Sequence, residues 1–377
     1  MMLRYCRRIC IFTLLYICVI ACSTSKSKIE FTNGILNYAQ TLSIDTAIDY
    51  SVCTFKSNAQ QWIVCKDSIS CRKRFPNARL LQYPLTRIIA WGSVYAAWVY
   101  EAGHANALVG IDEIEYSTIS ALQTLHDAGR LIKLKGSLQS QLERIIQLKP
   151  QLIITAADMV LTTHELNLLQ AQGIAVWPCT DYLESHPLGR SEWITLAACL
   201  FGNPAATLKS LNTMQLRYTH LRDSVQMVHS KPKVLSSGMS ANGIWYVPGG
   251  QSFASQLISD AGGEYIWQAN PQSGSLEFST EHIAAYAKNA AVWINPLDVQ
   301  CLQHFENYPK LIRDIKALQW GRVYQPHKIK NKYGYSAYWD QGLLHPDQIL
   351  KDLIVIFHNP TLVNQCQYYF RIPQQCL

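Results

Sequence analysis

Short apolar runs alternate with amphipathic stretches along the chain from residue 87 onward. The apolar runs are compact and bounded by Gly, Pro or polar residues, which predicts buried strands at 87–91, 107–111, 131–134, 152–155 and 174–177. Between them, apolar residues recur every three or four positions, which predicts helices at 93–103, 141–148 and 164–172. Strands and helices alternating at this spacing indicate a mostly parallel sheet covered on both faces.

The middle of the chain follows a different pattern and contains no predicted strand. A helical stretch at 189–200 precedes Pro204, which opens a long helix predicted to reach His229. The apolar residues of this helix follow in steps of three and four, at Leu208, Leu211, Met214, Tyr218, Leu221, Val225 and Val228. Alternation then resumes, with strands predicted at 233–235, 243–247, 291–294 and 322–324 and helices at 252–261, 280–286, 305–315 and 346–357.

Two α/β halves joined by a single helix follow from this order of elements. We predict an α/β fold with two Rossmann-like lobes joined by one long linker helix, preceded by a small β-rich extension with strands at 50–55 and 60–65. The predicted segments are a lipoprotein signal peptide (1–22), a tether and β-rich extension (23–84), an N-terminal lobe (85–185), linker helices (186–230) and a C-terminal lobe with its tail (231–377).

The first 22 residues have the layout of a secretory signal. Arg4, Arg7 and Arg8 form a basic start, and residues 9–21 carry no charge. This run of 13 residues is shorter than the roughly 20 that a membrane-spanning helix needs. It ends at Ala21-Cys22, which resembles the site where bacterial lipoproteins are acylated. We predict a lipid anchor at Cys22, with plain secretion or an uncleaved anchor as the alternatives.

Composition supports a sizeable core and argues against nucleic acid as a partner. Apolar residues make up 49% of the 377 residues, whereas charged residues make up only 16%. The net charge is +7, but the basic residues are scattered apart from the signal and the run at 72–74. We interpret that run as a solvated loop.

Eight cysteines follow Cys22, and an even number in an exported protein permits disulfides. Cys65 with Cys71, and Cys366 with Cys376, are close enough in sequence to form local bridges. Buried free thiols are an equally good interpretation for Cys179 and Cys199, which lie in apolar surroundings. No C-x-x-C pair occurs, so we predict no metal site.

Local motifs of common enzyme classes are missing from the sequence. It contains no G-x-S-x-G, no H-E-x-x-H, no G-x-G-x-x-G and no phosphate-binding loop of the Walker type. We therefore predict a binding protein without a cofactor. A hydrolase whose triad has no local motif is the alternative from a different class.

A glutamate opens a short helix before a buried strand in each half. Glu143 precedes the strand at 152–155, and Glu281 precedes a strand counted here from 292 to 295, with spacings that differ by two residues. The helix dipole and capping favour glutamate in a first turn, so ordinary helix chemistry is sufficient to explain the pair.

Several of these segments resemble one family of binding proteins. The N-terminal lobe, through Arg87-Ile88-Ile89-Ala90-Trp91, Leu108-Val109-Gly110-Ile111 and the stretch 142–154, is similar to class III periplasmic substrate-binding proteins of ABC importers for iron-siderophores, haem and vitamin B12. The stretches 186–190, 245–250 and 338–353 resemble the lipoprotein branch of that family in Bacteroidetes-type bacteria. The resemblance covers residues 30–360.

The resemblance implies a function and a set of partners. A protein of this kind captures an iron complex, haem or a corrinoid and delivers it to an ABC permease and its ATPase. Glu143 and Glu281 occupy the positions at which the family offers one carboxylate per lobe to the permease. The expected location is the cell envelope, lipid-anchored at the periplasmic face or the outer surface, as a monomer. A surface lipoprotein that passes cargo to an outer-membrane receptor is the alternative.

The ligand is expected in the cleft between the lobes, where loops follow the carboxyl ends of the strands. Aromatic rings suit flat or hydrophobic chelates, and Arg190 could pair with an anionic group, although a surface arginine or an aromatic core is the plain alternative. If the cargo is haem, Tyr246 or His186 could reach the iron. Lys328, Lys330 and Lys332 depart from the family pattern and could favour anionic cargo. The predicted ligand residues are Trp91, Tyr95, Tyr182, Arg190, Trp245, Tyr246, Tyr335, Tyr338 and Trp339.

Overall fold

Four sheets and a set of helices account for the part of the chain that the computed structural model describes, residues 34–376 without 160, 241 and 298. The predicted signal and the predicted lipid anchor at Cys22 lie outside these residues. Across the described ranges, none of the helices combines the length and apolar character required to cross a bilayer.

The N-terminal extension is a four-stranded sheet with one helix. Its strands are β1 (Leu42–Thr46), β2 (Tyr50–Phe55), β3 (Gln60–Cys65) and β4 (Arg79–Gln82), in the order β1-β2-β3-β4. The predicted strands at 50–55 and 60–65 are confirmed. The interpretation of residues 72–74 as a loop is wrong, because they form the last turn of α1 (Ser68–Arg74). Asp67 caps that helix by accepting hydrogen bonds from the backbone N–H groups of Ile69 and Ser70.

The N-terminal lobe contains a five-stranded parallel sheet in the order β7-β6-β5-β8-β9. Its strands are β5 (Ile88–Trp91), β6 (Leu108–Ile111), β7 (Ile132–Lys133), β8 (Leu152–Ala156) and β9 (Ala175–Cys179). Its helices are α2 (Ser93–Glu101), α3 (Ser120–Asp127), α4 (Leu142–Leu148) and α5 (Thr163–Ala171). Because both faces of the sheet are covered, β5 and β6 are buried along their whole length, as their unbroken apolar runs predict.

Three helices link the lobes: α6 (Pro187–Glu192), α7 (Ile194–Cys199) and α8 (Pro204–Ser224). The long helix α8 forms side-chain hydrogen bonds with both α6 and the C-terminal lobe. The Gln215 amide donates to Glu192 of α6 at 2.8 Å, and the Tyr218 hydroxyl donates to Asp260 of the C-terminal lobe at 2.6 Å. The helix ends before the predicted His229 because Val225 leaves the helical conformation and packs into the core.

The C-terminal lobe contains a second five-stranded sheet in the order β12-β10-β14-β15-β16, whose last strand is antiparallel to β15. Its strands are β10 (Lys233–Ser236), β12 (Glu264–Tyr265), β14 (Val292–Ile294), β15 (Val323–Gln325) and β16 (Phe370–Arg371). A separate antiparallel pair consists of β11 (Trp245–Pro248) and β13 (Ser275–Phe278). The helices are α9 (Phe253–Asp260), α10 (Thr280–Ala287), α11 (Lys310–Arg313), α12 (Lys316–Gln319) and α13 (Pro346–His358).

Two predictions for this lobe differ from the structure. The strand predicted at 243–247 belongs to the separate pair and not to the main sheet. The helix predicted at 305–315 is instead a 3₁₀ helix (Leu302–Asn307) followed by the short α11, because Pro309 between them lacks a backbone N–H to continue a helix.

A disulfide between Cys301 and Cys376 closes the C-terminal tail onto the C-terminal lobe. The predicted local bridge between Cys366 and Cys376 is therefore wrong, and the buried Cys366 thiol donates to the Asp352 carbonyl. Cys65, Cys71, Cys179 and Cys199 are buried free thiols.

Reduction of this disulfide is expected to lower the free energy of unfolding by about 4 kcal/mol, because it frees a long loop in the unfolded chain. The bonded cysteines are 75 residues apart. Urea unfolding with and without reductant measures the change. The Cys376→Ser variant should have the free energy of unfolding of the reduced wild-type chain, and added reductant should not change it. Equal midpoints for the oxidised and reduced wild-type chain would contradict the expectation.

Candidate ligand site between the lobes

Helix α6 lies where the two lobes meet. It follows β9 of the N-terminal lobe after one 3₁₀ turn, and it contacts α9 and the turn Gly342–Leu344 of the C-terminal lobe. His186 begins the helix by accepting a hydrogen bond from the backbone N–H of Leu188, and Pro187 occupies its first turn. A side chain on α6 can therefore face the space between the lobes.

Arg190 of α6 is held in place by a buried carboxylate. Its Nε donates to Oδ2 of Asp181 at 3.1 Å, and its guanidinium carbon lies 4.6 Å from the centroid of the Phe253 ring of α9. The Tyr95 hydroxyl donates to the other oxygen of Asp181 at 3.2 Å. Within the described ranges, no protein acceptor bonds the Nη groups of Arg190. These groups are the ones that a carboxylate or phenolate of a ligand could engage.

Burial and pairing have opposite effects on the Asp181 carboxyl. Burial raises its pKa, whereas the Arg190 charge and the hydrogen bonds from Tyr95 and Arg190 favour the ionised form. Burial also raises the pKa of Tyr95 well above its ordinary value, so its hydroxyl stays a donor. Asp181 is 1% exposed and needs both partners, since an unpaired buried charge is strongly destabilising.

Exposed aromatic side chains occur on both lobes. Tyr335 and Trp339 lie on the loop between β15 and α13, and each exposes at least 42% of its surface. Tyr246 of β11 is 38% exposed, and Tyr182 after β9 is half-buried. The ring of Trp339 packs edge-on against Tyr338, with centroids 4.8 Å apart. Each lobe thus offers flat, apolar ring surface to a ligand.

Four of the predicted ligand residues are buried. Trp91 packs in an apolar cluster with Ile89 and Val109, and Trp245 is fully buried against Trp293 with its indole N–H donating to Thr280. Both indoles belong to the core, which corrects the prediction for Trp91 and Trp245. Tyr95 and Tyr338 are also buried, but Tyr95 orients Asp181. Burial raises the pKa of Tyr338, and the hydrogen bond with Tyr369 and the charge of Arg190 offset only part of that rise.

His186 and Lys328 have structural contacts. Nδ1 of His186 accepts a hydrogen bond from the backbone N–H of Leu188. The centroid of the His186 ring lies 4.8 Å from that of Tyr38 in the N-terminal extension. Lys328 donates to the Asn364 carbonyl at 2.7 Å and also to that of Cys366, which ties down the tail. Lys328 is therefore occupied by the protein itself, and Nδ1 of His186 is occupied by the helix cap, so any contact of His186 with a haem iron would have to use Nε2 and stays a prediction.

A loop of the C-terminal lobe is hydrogen-bonded directly to the N-terminal lobe. Both oxygens of the buried Asp340 accept from Thr118, one from its backbone N–H and one from its hydroxyl, each at 2.7 Å. The Asn331 amide donates to the carbonyls of Glu115 and Ser117. These contacts cannot be predicted from the sequence, because the local pattern does not show that a polar residue in a loop has its partner 222 positions away.

The sequence profile of the periplasmic binding protein family matches residues 88–329. The chain belongs to the periplasmic binding protein family. The matched range is well over half of the chain and includes both five-stranded sheets except β16. The β-rich extension precedes the matched range.

Relatives and solved structures agree with this assignment. The chain is 24% identical over 307 residues to the uncharacterized lipoprotein MJ0878 of Methanocaldococcus jannaschii, covering 78% of this chain and 70% of the relative. The periplasmic haem-binding protein RhuT of Roseiflexus sp. RS-1 is 18% identical with a TM-score of 0.52, covering 74% of this chain and 99% of that one. The vitamin B12-binding protein BtuF of Vibrio cholerae is 16% identical with a TM-score of 0.50, covering 72% and 96%. The predicted class III family and two-lobed fold are confirmed.

Glu143 and Glu281 are exposed on this periplasmic binding protein, each in the first turn of its helix, α4 and α10 respectively. A hydrogen bond with Ser279 lowers the pKa of Glu281, which keeps it ionised at neutral pH. One carboxylate therefore lies on the surface of each lobe.

Replacing Asp340 by asparagine is expected to destabilise this periplasmic binding protein by about 2 kcal/mol, because one oxygen that accepts from Thr118 becomes an amide donor. The change should lower the unfolding temperature and speed amide exchange at 331–341. Asp127→Asn, at an exposed position of α3, is the matched control. Unchanged exchange in the Asp340 variant would show that this contact does not hold the lobes together.

Proposed function

We propose that this chain captures one large anionic metal chelate between its lobes and delivers it to an ABC permease and its ATPase. The carrying observation is the Arg190 guanidinium, which is oriented by Asp181 and whose Nη groups are bonded by none of the described residues. Both lobes also carry exposed aromatic rings. The haem- and B12-binding neighbours support a chelate of this size. An acylated Cys22 would hold the protein at the membrane.

The charge at Arg190 favours some cargo over others. Haem carries two carboxylates, and many iron-siderophore complexes are anionic, whereas cyanocobalamin carries no net charge. A planar guanidinium binds carboxylates through two parallel hydrogen bonds, which adds both energy and orientation. Haem or a ferric siderophore is therefore the favoured cargo, with Tyr182, Tyr246, Tyr335 and Trp339 against its apolar faces.

Glu143 and Glu281 are the proposed permease contacts. Two carboxylates on two lobes would fix the orientation of the protein on a permease that presents arginines. Because both side chains are exposed, each contributes only modestly to the affinity for the permease. Together they would fix how the two lobes are positioned on it.

Titration of tryptophan fluorescence tests the proposed function. Haemin, a ferric catecholate and cyanocobalamin are added separately to the full chain. We expect saturable quenching at one equivalent by haemin or the ferric catecholate, weaker binding of cyanocobalamin, and recovery of the ligand unchanged. Absence of saturation with all three, or conversion of a ligand to a product, would refute the proposal.

A further inference from the structure

A sizeable cavity lies outside the space between the lobes. It is a groove of about 990 Å³ between the N-terminal extension and the N-terminal lobe. One wall consists of β3, β4 and the end of α1, and the other consists of β9, α5 and the residues that follow β8. Both β4 and β9 are outer strands of their sheets, so the groove separates two sheet edges.

The walls of this groove are fixed to one another. The ring of Trp62 in β3 lies 6.3 Å from that of Trp177 in β9, and the Phe55 ring of β2 lies 5.8 Å from Trp177. At the opposite end of the extension, the buried carboxylates of Glu184 and Glu192 accept backbone N–H bonds from residues 37–41. These contacts hold the extension rigidly on the lobe, so the groove is preformed.

The charge of the groove has one sign. Arg72 and Arg79 line it, and no aspartate or glutamate does so among the described residues. Arg72 is oriented by donating to the carbonyls of Pro76 and Ala78. Arg79 lies over the Trp62 ring, with 5.7 Å between its guanidinium carbon and the centroid. Within the described ranges, no carboxylate pairs with Arg79.

The remaining lining combines apolar side chains with neutral polar ones such as Asn77 and Gln170. Two of its polar groups have no partner among the described residues. Leu81 and Ile174 are buried in the walls, and Met159 and Leu166 are exposed at the rim. Trp62 and Thr180 also line the groove and are less than 10% exposed. The indole N–H of Trp62 and the hydroxyl of Thr180 lack a hydrogen-bond partner among the described residues. Buried polar groups are normally bonded, so these two indicate a missing partner.

We propose that this groove is a second ligand site, which binds a small amphipathic anion. The anionic group would pair with Arg79 and Arg72, and the apolar body would lie along the leucine and isoleucine side chains. An acceptor atom of the ligand would bond Trp62 or Thr180. The volume is within the range of small-molecule sites. One wall of the site belongs to the extension, which precedes the range matched by the family profile.

The anion could be a separate molecule or the acidic substituent of a cargo held between the lobes. Thr155, Ala157 and Thr180 lie at the carboxyl ends of β8 and β9, on the edge of the sheet that also faces the other lobe. Both sources have the same chemistry. Separate variants of the groove and of the Arg190 site distinguish them.

Binding of 8-anilinonaphthalene-1-sulfonate to the full chain tests the proposal. The titration uses the double variant Arg190→Ala, Asp181→Asn as its background, because the proposed anion site between the lobes could bind the same probe. In this background we expect saturable fluorescence enhancement at one equivalent and at least a tenfold loss of affinity when Arg79→Glu is added. Lys73→Glu is the matched control, since it makes the same charge change on the extension outside the groove. Trp62→Phe, which removes only the N–H and part of the ring, should weaken binding less than Arg79→Glu.

Three results would overturn this inference. The first is probe binding that does not saturate, and the second is an equal loss of probe affinity in Arg79→Glu and Lys73→Glu. The third is loss of probe binding in the Arg190→Ala, Asp181→Asn variant, which would make the groove a part of the site between the lobes. Failure of the proposed cargo titration with intact probe binding would reject only the proposed function. Unfolding temperatures of all variants establish that each is folded.

Discussion

Replacing Arg190 by alanine is expected to weaken binding of an anionic chelate by one to two orders of magnitude. Hydrogen bonds to charged groups contribute about 1.5–3 kcal/mol, and the Nη groups of Arg190 are positioned for such bonds. Arg190→Lys should recover only part of the affinity, because an ammonium keeps the charge but loses the planar pair of donors. Fluorescence titration with the chelate that binds the wild-type chain measures the affinity of both variants.

The buried Asp181 complicates the single replacement. Without Arg190 its carboxylate is left in the interior, which is expected to cost about 3–5 kcal/mol of stability. The double variant Arg190→Ala, Asp181→Asn removes both charges and should regain much of that stability, since an asparagine oxygen still accepts from the Tyr95 hydroxyl. Ligand affinity should stay low in the double variant. Affinity that returns together with stability would mean that Arg190 has a structural role only.

Reversing both surface glutamates, with Glu143→Lys and Glu281→Lys, is expected to abolish import while ligand affinity stays unchanged. Like charges placed against the arginines of a permease repel, and two such contacts on separate lobes also fix the docking geometry. Each single reversal should reduce import by about tenfold or more. Uptake of the labelled cargo by cells or by permease proteoliposomes provides the measurement.

Glu306→Lys is the matched control for this pair. Glu306 is an exposed glutamate of the C-terminal lobe and lies near the end of the 3₁₀ helix Leu302–Asn307, not in the first turn of an α-helix. The control should import normally. Unaltered import by the double variant would remove the docking assignment and favour a collector that works without a permease.

The order of elements is the part of the fold that the sequence predicts best. Strands such as β5 and β8 are buried on both faces, so their apolar runs are unbroken and unmistakable in the pattern. β4 and α1 were missed, because their polar and apolar residues follow neither period clearly. The end of α8 and the break at Pro309 depend on local packing and on a missing backbone donor, which periodicity does not detect.

The site is predicted less completely than the fold. Position at a strand end identifies loops that can reach the cleft, and the exposed Tyr335 lies on such a loop, whereas Tyr246 lies within β11 and Arg190 within α6. It cannot decide to which side of the sheet a strand-end side chain turns, and Trp91 and Trp245 turn into the core. The contact of Asp340 with Thr118 joins residues far apart in the chain, which only the folded structure brings together.

Hydrogen exchange of the full chain with and without bound cargo tests the central claim most directly. If the chelate lies between the lobes over Arg190, amides of residues 180–190 and 331–341 should exchange more slowly in the complex, with those of the extension at 57–81 unchanged. Protection confined to the extension, or an identical exchange pattern in both states at saturating ligand, would contradict a ligand site between the lobes.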